Sequence, residues 1–176
     1  KLVTGVQTCA LPILNFHRIG FSDITDQFFQ SFYLIIFPCD MMTSAHIQPF
    51  HPVQICDHII FNSFAQYEKY KEMCRESAKV RKDKKAVSVG IRINPQCSTQ
   101  EGHEIYDPCG YASRLGVTEE QFREDLLEGV EGLHFHTLCE QNADDLVTTF
   151  QAFEKKFGKY LHRMKWLNMG GGHHIT

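Results

Sequence analysis

The sequence predicts an α/β fold made of repeated strand–helix units on a parallel sheet. Three observations predict it. Across residues 54–176, short apolar runs of strand type alternate with longer segments of helical period. Residues able to cap a helix stand between them, where the free N–H groups of a helix start need an acceptor. Two of the strand runs leave the core into polar or glycine-rich stretches, at residues 137–141 and 170–172. Strands of α/β domains open onto a ligand crevice in this way.

Residues 1–53 carry Gly, Pro and scattered apolar side chains without a sustained period. They read as a poorly defined, foreign or frame-shifted segment, with the domain proper at 54–176. Residues 28–37 are aromatic and apolar but far shorter than the roughly 20 residues of a membrane span. Residues 55–63 read as a buried strand. Asn62 or Ser63 can cap the helix that follows over 64–77, with Phe64, Tyr67, Tyr70 and Cys74 at helical spacing. The basic run 80–85 is expected to be a solvated connection.

Residues 86–95 form the next strand, ended by Pro95. Arg92 is a charge inside it, and must find a partner or solvent because an unpaired buried charge is costly. A long connection over 96–116 follows, then a capping box of Thr118 and Gln121 that predicts a helix to about Glu128, ended by Gly129. The strand from Gly132 puts His134 and His136 on one face and Leu133 and Phe135 on the other. Asn142 caps a helix with Leu146, Phe150, Phe153 and Phe157 on its buried face, stopped by Gly158. Residues 166–169 are the last strand, running into Gly170, Gly171, Gly172, His173 and His174. Such an order fits a Rossmann sheet and a piece of a (β/α)8 barrel alike.

Composition narrows the function classes. A chain of 176 residues with a net charge of −3 can bury one core and offers no nucleic-acid surface. No segment reads as a membrane span or a clear signal peptide. Seven cysteines, an odd number without a CxxC pair, fit free thiols in a reducing compartment, so the cytoplasm is the expected location.

Three glycines after a strand allow close backbone approach and leave N–H groups for a phosphate. With an imidazole nearby, they suggest a flat phosphorylated cofactor with His136 stacked on its ring. A metal-dependent barrel hydrolase is the rival, with His134, His136, His173, His174 and Asp57 as possible zinc ligands. It ranks lower because a metal does not call for adjacent glycines.

Two long motifs, residues 132–141 (GLHFHTLCEQ) and 165–176 (KWLNMGGGHHIT), resemble the carboxynorspermidine (carboxyspermidine) decarboxylase family. So do residues 56–63, Arg92-Ile93-Asn94-Pro95, Tyr106-Asp107-Pro108 and Ser113-Arg114-Leu115-Gly116. Diaminopimelate and ornithine decarboxylases are similar, but favour a Gly-Ser step where this chain has Leu138-Cys139.

The resemblance implies a pyridoxal 5'-phosphate enzyme with an alanine racemase-like (β/α)8 TIM barrel (PLP fold type III), a C-terminal β domain and a homodimer. It implies release of carbon dioxide from a carboxylated triamine to give norspermidine or spermidine. It assigns ring stacking to His136, phosphate binding to Gly170, Gly171 and Gly172, and cofactor contacts to Cys139 and Arg114. Arg92 receives no definite role. Before Lys69 the chain has no lysine except Lys1, so the Schiff-base lysine of the family is not identified in it. The chain therefore reads as an inactive fragment, a partial barrel without the β domain.

Overall fold

The computed structural model describes residues 14–15, 34–36, 53–54, 56–100, 107–110 and 113–172. The remainder of the expectations for residues 1–53, together with His173 and His174, lies outside the described residues. The described elements include β1 (Leu14–Asn15), β2 (Leu34–Ile36), β3 (His58–Phe61), α1 (Phe64–Arg75), α2 (Ser77–Val80), β4 (Ser88–Arg92), β5 (Gly132–His134), α3 (Ala143–Phe157) and β6 (Trp166–Asn168). Two 3-10 helices, Glu124–Leu126 and Gly158–Arg163, are also among them.

One sheet holds all six strands in the order β1-β6-β5-β4-β3-β2. Strands β2 to β6 are parallel and step one place across the sheet at each crossover, while β1 pairs antiparallel with β6. A Rossmann sheet reverses its strand order at a switch point. None of the described strands does.

Alternation along each strand divides the side chains between two faces. Ile59, Phe61, Val89, Ile91, Leu133 and Leu167 join the core under the helices. Helix α3 lays Phe153 parallel to Phe135, with ring centroids 5.0 Å apart. Its start is the expected one: the Asn142 side chain accepts from the Asp144 and Asp145 amides, and Asp145 answers with its carboxylate. Helix α1 is capped by Ser63, whose Oγ accepts from the Gln66 N–H at 3.3 Å.

The opposite face carries His58 and Ile60, Ser88, Gly90 and Arg92, Gly132 and His134, then Trp166 and Asn168. Trp166 lies flat across its neighbours. A Cβ on Gly132 would meet the indole at 2.1 Å, and one on Gly90 at 2.3 Å. The indole N–H donates to Ser88 Oγ at 2.8 Å, and Ser88 donates on to Glu131 at 2.6 Å. Two adjacent strands thus leave out a side chain so that one tryptophan can fill the layer.

Two expectations need correction. The capping box at Thr118 starts no α-helix. Thr118 N–H does approach Gln121 Oε1 at 3.5 Å, but Arg123 is extended (φ −112°, ψ 91°) and only the short 3-10 turn follows. Phe122 explains the break: it stacks on Tyr160 at 4.4 Å and packs edge-on to Phe64 and Phe157. A helix of about ten residues has little stability of its own to resist that pull. The basic run is not wholly solvated either. Arg81 is 6% exposed and pairs with Asp57 at 2.9 Å and Asp83 at 2.8 Å, and its guanidinium also donates to the Val53 and Cys56 carbonyls. It staples the chain below the start of β3.

Candidate active site

The C-terminal ends of β3 to β6 bring the candidate residues together, as parallel sheets place their crevices. Asn168 organises the centre. Its Oδ1 accepts from the Gly170 N–H at 2.9 Å, which fixes the amide's orientation. The same oxygen lies 3.0 Å from His134 Nδ1, so that nitrogen must carry the proton and donate. His134 Nε2 is then an acceptor, fully buried and without a partner among the described residues, and Asn168 Nδ2 is likewise a donor without one. Burial, and then the charge of Arg92, push the His134 pKa down to about 3. His134 is a neutral, oriented ring.

That shift has a consequence for stability. His134 titrates near its ordinary 6.5 in the unfolded chain but near 3 in the folded one. Between these values the unfolded state binds the extra proton, so stability falls as pH drops from about 6.5 to about 3. The slope is up to about 1.4 kcal/mol per pH unit. His134→Gln should show a flatter acid limb than wild type in urea unfolding at a series of pH values. Parallel limbs would show that His134 is not buried neutral.

His136, one alternation further on, is only partly buried. Its Nδ1 accepts from the Gly171 N–H at 3.1 Å, which leaves the proton on Nε2. Burial, then Arg92, lower its pKa as well. Arg92 faces His134 across the β4–β5 pair. It is 8% exposed, and among the described residues its side chain makes no hydrogen bond or ion pair. The sequence called for a partner or for solvent, and among the described residues no partner is present. Burial holds the guanidinium below its ordinary pKa. Nearby Cys109, whose thiol points to the His136 carbonyl at 4.0 Å, is pushed up to about 12 by burial and supplies no counter-charge at neutral pH.

The glycines are required for two reasons. Gly170 (φ +75°) and Gly172 (φ +84°) adopt left-handed backbone. A Cβ on Gly170 would lie 2.6 Å from His136 Nδ1, and one on Gly172 would lie 2.3 Å from the Leu138 carbonyl oxygen. The loop therefore closes tightly on the histidine strand. Two of its three amides are used internally, Gly170 toward Asn168 and Gly171 toward His136. Among the described residues the Gly172 amide has no acceptor.

Cys139 is exposed, with its Cα beside Gly172. Arg114 is exposed too. Its carbonyl accepts from Asn62 Nδ2 at 2.8 Å, and Asn62 Oδ1 accepts from the Gly116 N–H at 2.8 Å. That clip ties residues 113–116 to the end of β3. Asp57, by contrast, lies before the start of β3, paired with Arg81. It is at the wrong end of the strands to share a metal with His134 and His136. Sequence reasoning missed Asn168, although its place in phase with the histidines, one strand over, was a usable signal.

No family model matches the chain. Curated proteins do. It is 45% identical over 119 residues to a carboxynorspermidine/carboxyspermidine decarboxylase of Campylobacter jejuni, which covers 68% of this chain and 28% of that protein. The matched segment is homologous to the carboxynorspermidine/carboxyspermidine decarboxylases. A carboxyaminopropylagmatine decarboxylase of Synechocystis is 38% identical over 124 residues, covering 70% of this chain and 30% of the relative. The solved structure of carboxynorspermidine decarboxylase complexed with norspermidine from Campylobacter jejuni superposes with a TM-score of 0.57 at 38% identity. It covers 72% of this chain and 29% of that one. The α/β sheet is thus a fragment of the carboxynorspermidine decarboxylase fold, and the chain spans less than a third of the relatives it matches. Among the described residues no helix is long and apolar enough to cross a membrane.

Proposed function

We propose that this crevice holds pyridoxal 5'-phosphate in an enzyme that decarboxylates a carboxylated triamine. The relatives' names support the reaction class, and the norspermidine in the solved relative supports a polyamine ligand. The observation that carries the cofactor reading is Arg92, a buried cation with no counter-charge among the described residues. An anionic oxygen of the cofactor or substrate would complete it. Among the described residues His134 Nε2 is a further unfilled acceptor, and the Gly172 N–H has no acceptor in the hydrogen-bond network.

His136 would present its ring face to the pyridine, held at the required angle by the Gly171 amide. Gly170 and Gly171 would shape the phosphate loop, while Gly172 would offer its N–H. Cys139 and Arg114 would serve as secondary contacts. When bound, the cofactor supplies an electron sink for the pair left as carbon dioxide departs. A proton then replaces the carboxylate, giving norspermidine or spermidine. Residues 54–176 would form part of a barrel completed by chain beyond this sequence, in a cytoplasmic homodimer. The five described cysteines are free thiols, which suits that compartment.

Titration with pyridoxal 5'-phosphate, followed by visible absorbance, tests the reading. His136→Ala should weaken binding at least about tenfold, the scale of one aromatic stacking contact with its hydrogen-bonded support. Equal affinity in wild type and variant would remove His136 from the site.

A further inference from the structure

Gln141 gathers three loops onto one side chain and its own amide. Its Nε2 donates to the Thr99 carbonyl at 2.8 Å and to Thr99 Oγ1 at 2.6 Å. Its Oε1 accepts from Gln100 Nε2 at 2.7 Å and from the Cys139 N–H at 3.4 Å. Its backbone N–H donates to the Gly172 carbonyl at 3.0 Å. Thr99 and Gln100 follow β4, Cys139 follows β5 and Gly172 follows β6. Both amide groups of the side chain are satisfied across chain segments some forty residues apart in sequence. The backbone of Gln141 is itself set by the capping box that begins at the next residue, Asn142.

The loops it joins are held in unusual conformations. Gln96 (φ +52°) and Glu140 (φ +54°) are non-glycine residues in the left-handed region, one in the loop after β4 and one in the loop after β5. Such backbone costs energy unless its surroundings hold it there. Gly172 is the loop residue whose amide has no internal acceptor, and Gln141 holds that residue's carbonyl.

We infer that Gln141 is a positioning residue. It latches the loop after β4 to the glycine loop, and so fixes the direction of the Gly172 N–H toward a ligand phosphate. The inference rests on the cofactor reading above but concerns only the phosphate end of the site. Gln141 touches neither the pyridine face at His136 nor Arg92.

The test compares pyridoxal 5'-phosphate with pyridoxal, which lacks the phosphate, on the full 176-residue chain. Wild type should prefer the phosphorylated compound. Gln141→Ala should lose about tenfold of that preference, the worth of one hydrogen bond to a charged group, with pyridoxal affinity and melting temperature nearly unchanged. Thr99→Val, which removes the Oγ1 contact but keeps the backbone carbonyl one, should reduce the preference in the same direction by a smaller factor. Gln141→Glu sets a carboxylate oxygen against the Thr99 carbonyl and adds negative charge beside the phosphate end, so it should lose at least as much of the preference as Gln141→Ala. A full preference retained in Gln141→Ala and Thr99→Val would overturn the latch while leaving the cofactor site intact. Equal loss of affinity for both compounds would also overturn it, as a general structural effect. No preference in the wild-type chain would overturn the cofactor reading, and the latch with it.

Discussion

Arg92→Met should make the ligand-free chain more stable and cost it 10- to 100-fold or so in affinity for pyridoxal 5'-phosphate. Both effects have one cause. The guanidinium is buried and has neither a carboxylate nor a hydrogen-bond acceptor among the described residues. Replacing buried ionic groups by apolar ones of similar volume gains roughly 1–4 kcal/mol, and an unpaired charge belongs at the upper end. Hydrogen bonds to charged groups are worth about 1.5–3 kcal/mol, which sets the loss on the binding side. Urea unfolding and a cofactor titration on the same two proteins measure the two halves. A destabilised Arg92→Met variant would mean that the charge already has its partner inside the fold.

Gly132→Ala should cost about 3 kcal/mol or more, although it adds one methyl group. Three atoms of the Trp166 ring lie 2.1–2.4 Å from where that Cβ would stand. The indole cannot retreat, because Gly90 bounds it on the next strand and its N–H is held by Ser88. Ordinary overpacking costs about 1–3 kcal/mol when neighbours can shift. Combining Gly132→Ala with Trp166→Leu should recover part of the loss, a coupling that a double-mutant cycle isolates. Additive losses would show that the glycine serves the backbone and not the ring.

Much of this architecture was legible in the sequence because its signals are local. Helices α1 and α3 announce themselves through period and cap, and the four central strands through short apolar runs between turn residues. The direction of strand winding was not legible, since a Rossmann sheet and a barrel share the same βα repeat. Only the hydrogen-bonded order separates them. The helix expected after Thr118 failed because Phe122 gains more from Tyr160, Phe64 and Phe157 than so short a helix could return. Arg81 escaped notice because its partners, Asp57 and Asp83, flank it at different sequence distances and only the fold brings them together.

The site divides along the same line. His136 and the glycines are visible as a motif, and the structure joins them through the Gly171 amide. The occupied amides of Gly170 and Gly171 were not foreseeable. The Gly170 amide turns back on Asn168, two residues earlier, while the Gly171 amide reaches His136 on the neighbouring strand, a contact set by strand pairing and not by spacing. Likewise, the missing partner of Arg92 becomes evident only when its surroundings are known.

The most direct measurement is a nitrogen-15 NMR titration of the chain with pyridoxal 5'-phosphate. If Arg92, His136 and the glycine loop form one cofactor crevice, saturable shifts should appear together at the Arg92 side-chain N–H, the His136 ring and the Gly170–Gly172 amides. Arg81, at the far end of the strands, should stay unmoved. Saturable shifts centred on the Lys82–Lys85 run or on Arg81, with the crevice silent, would contradict it.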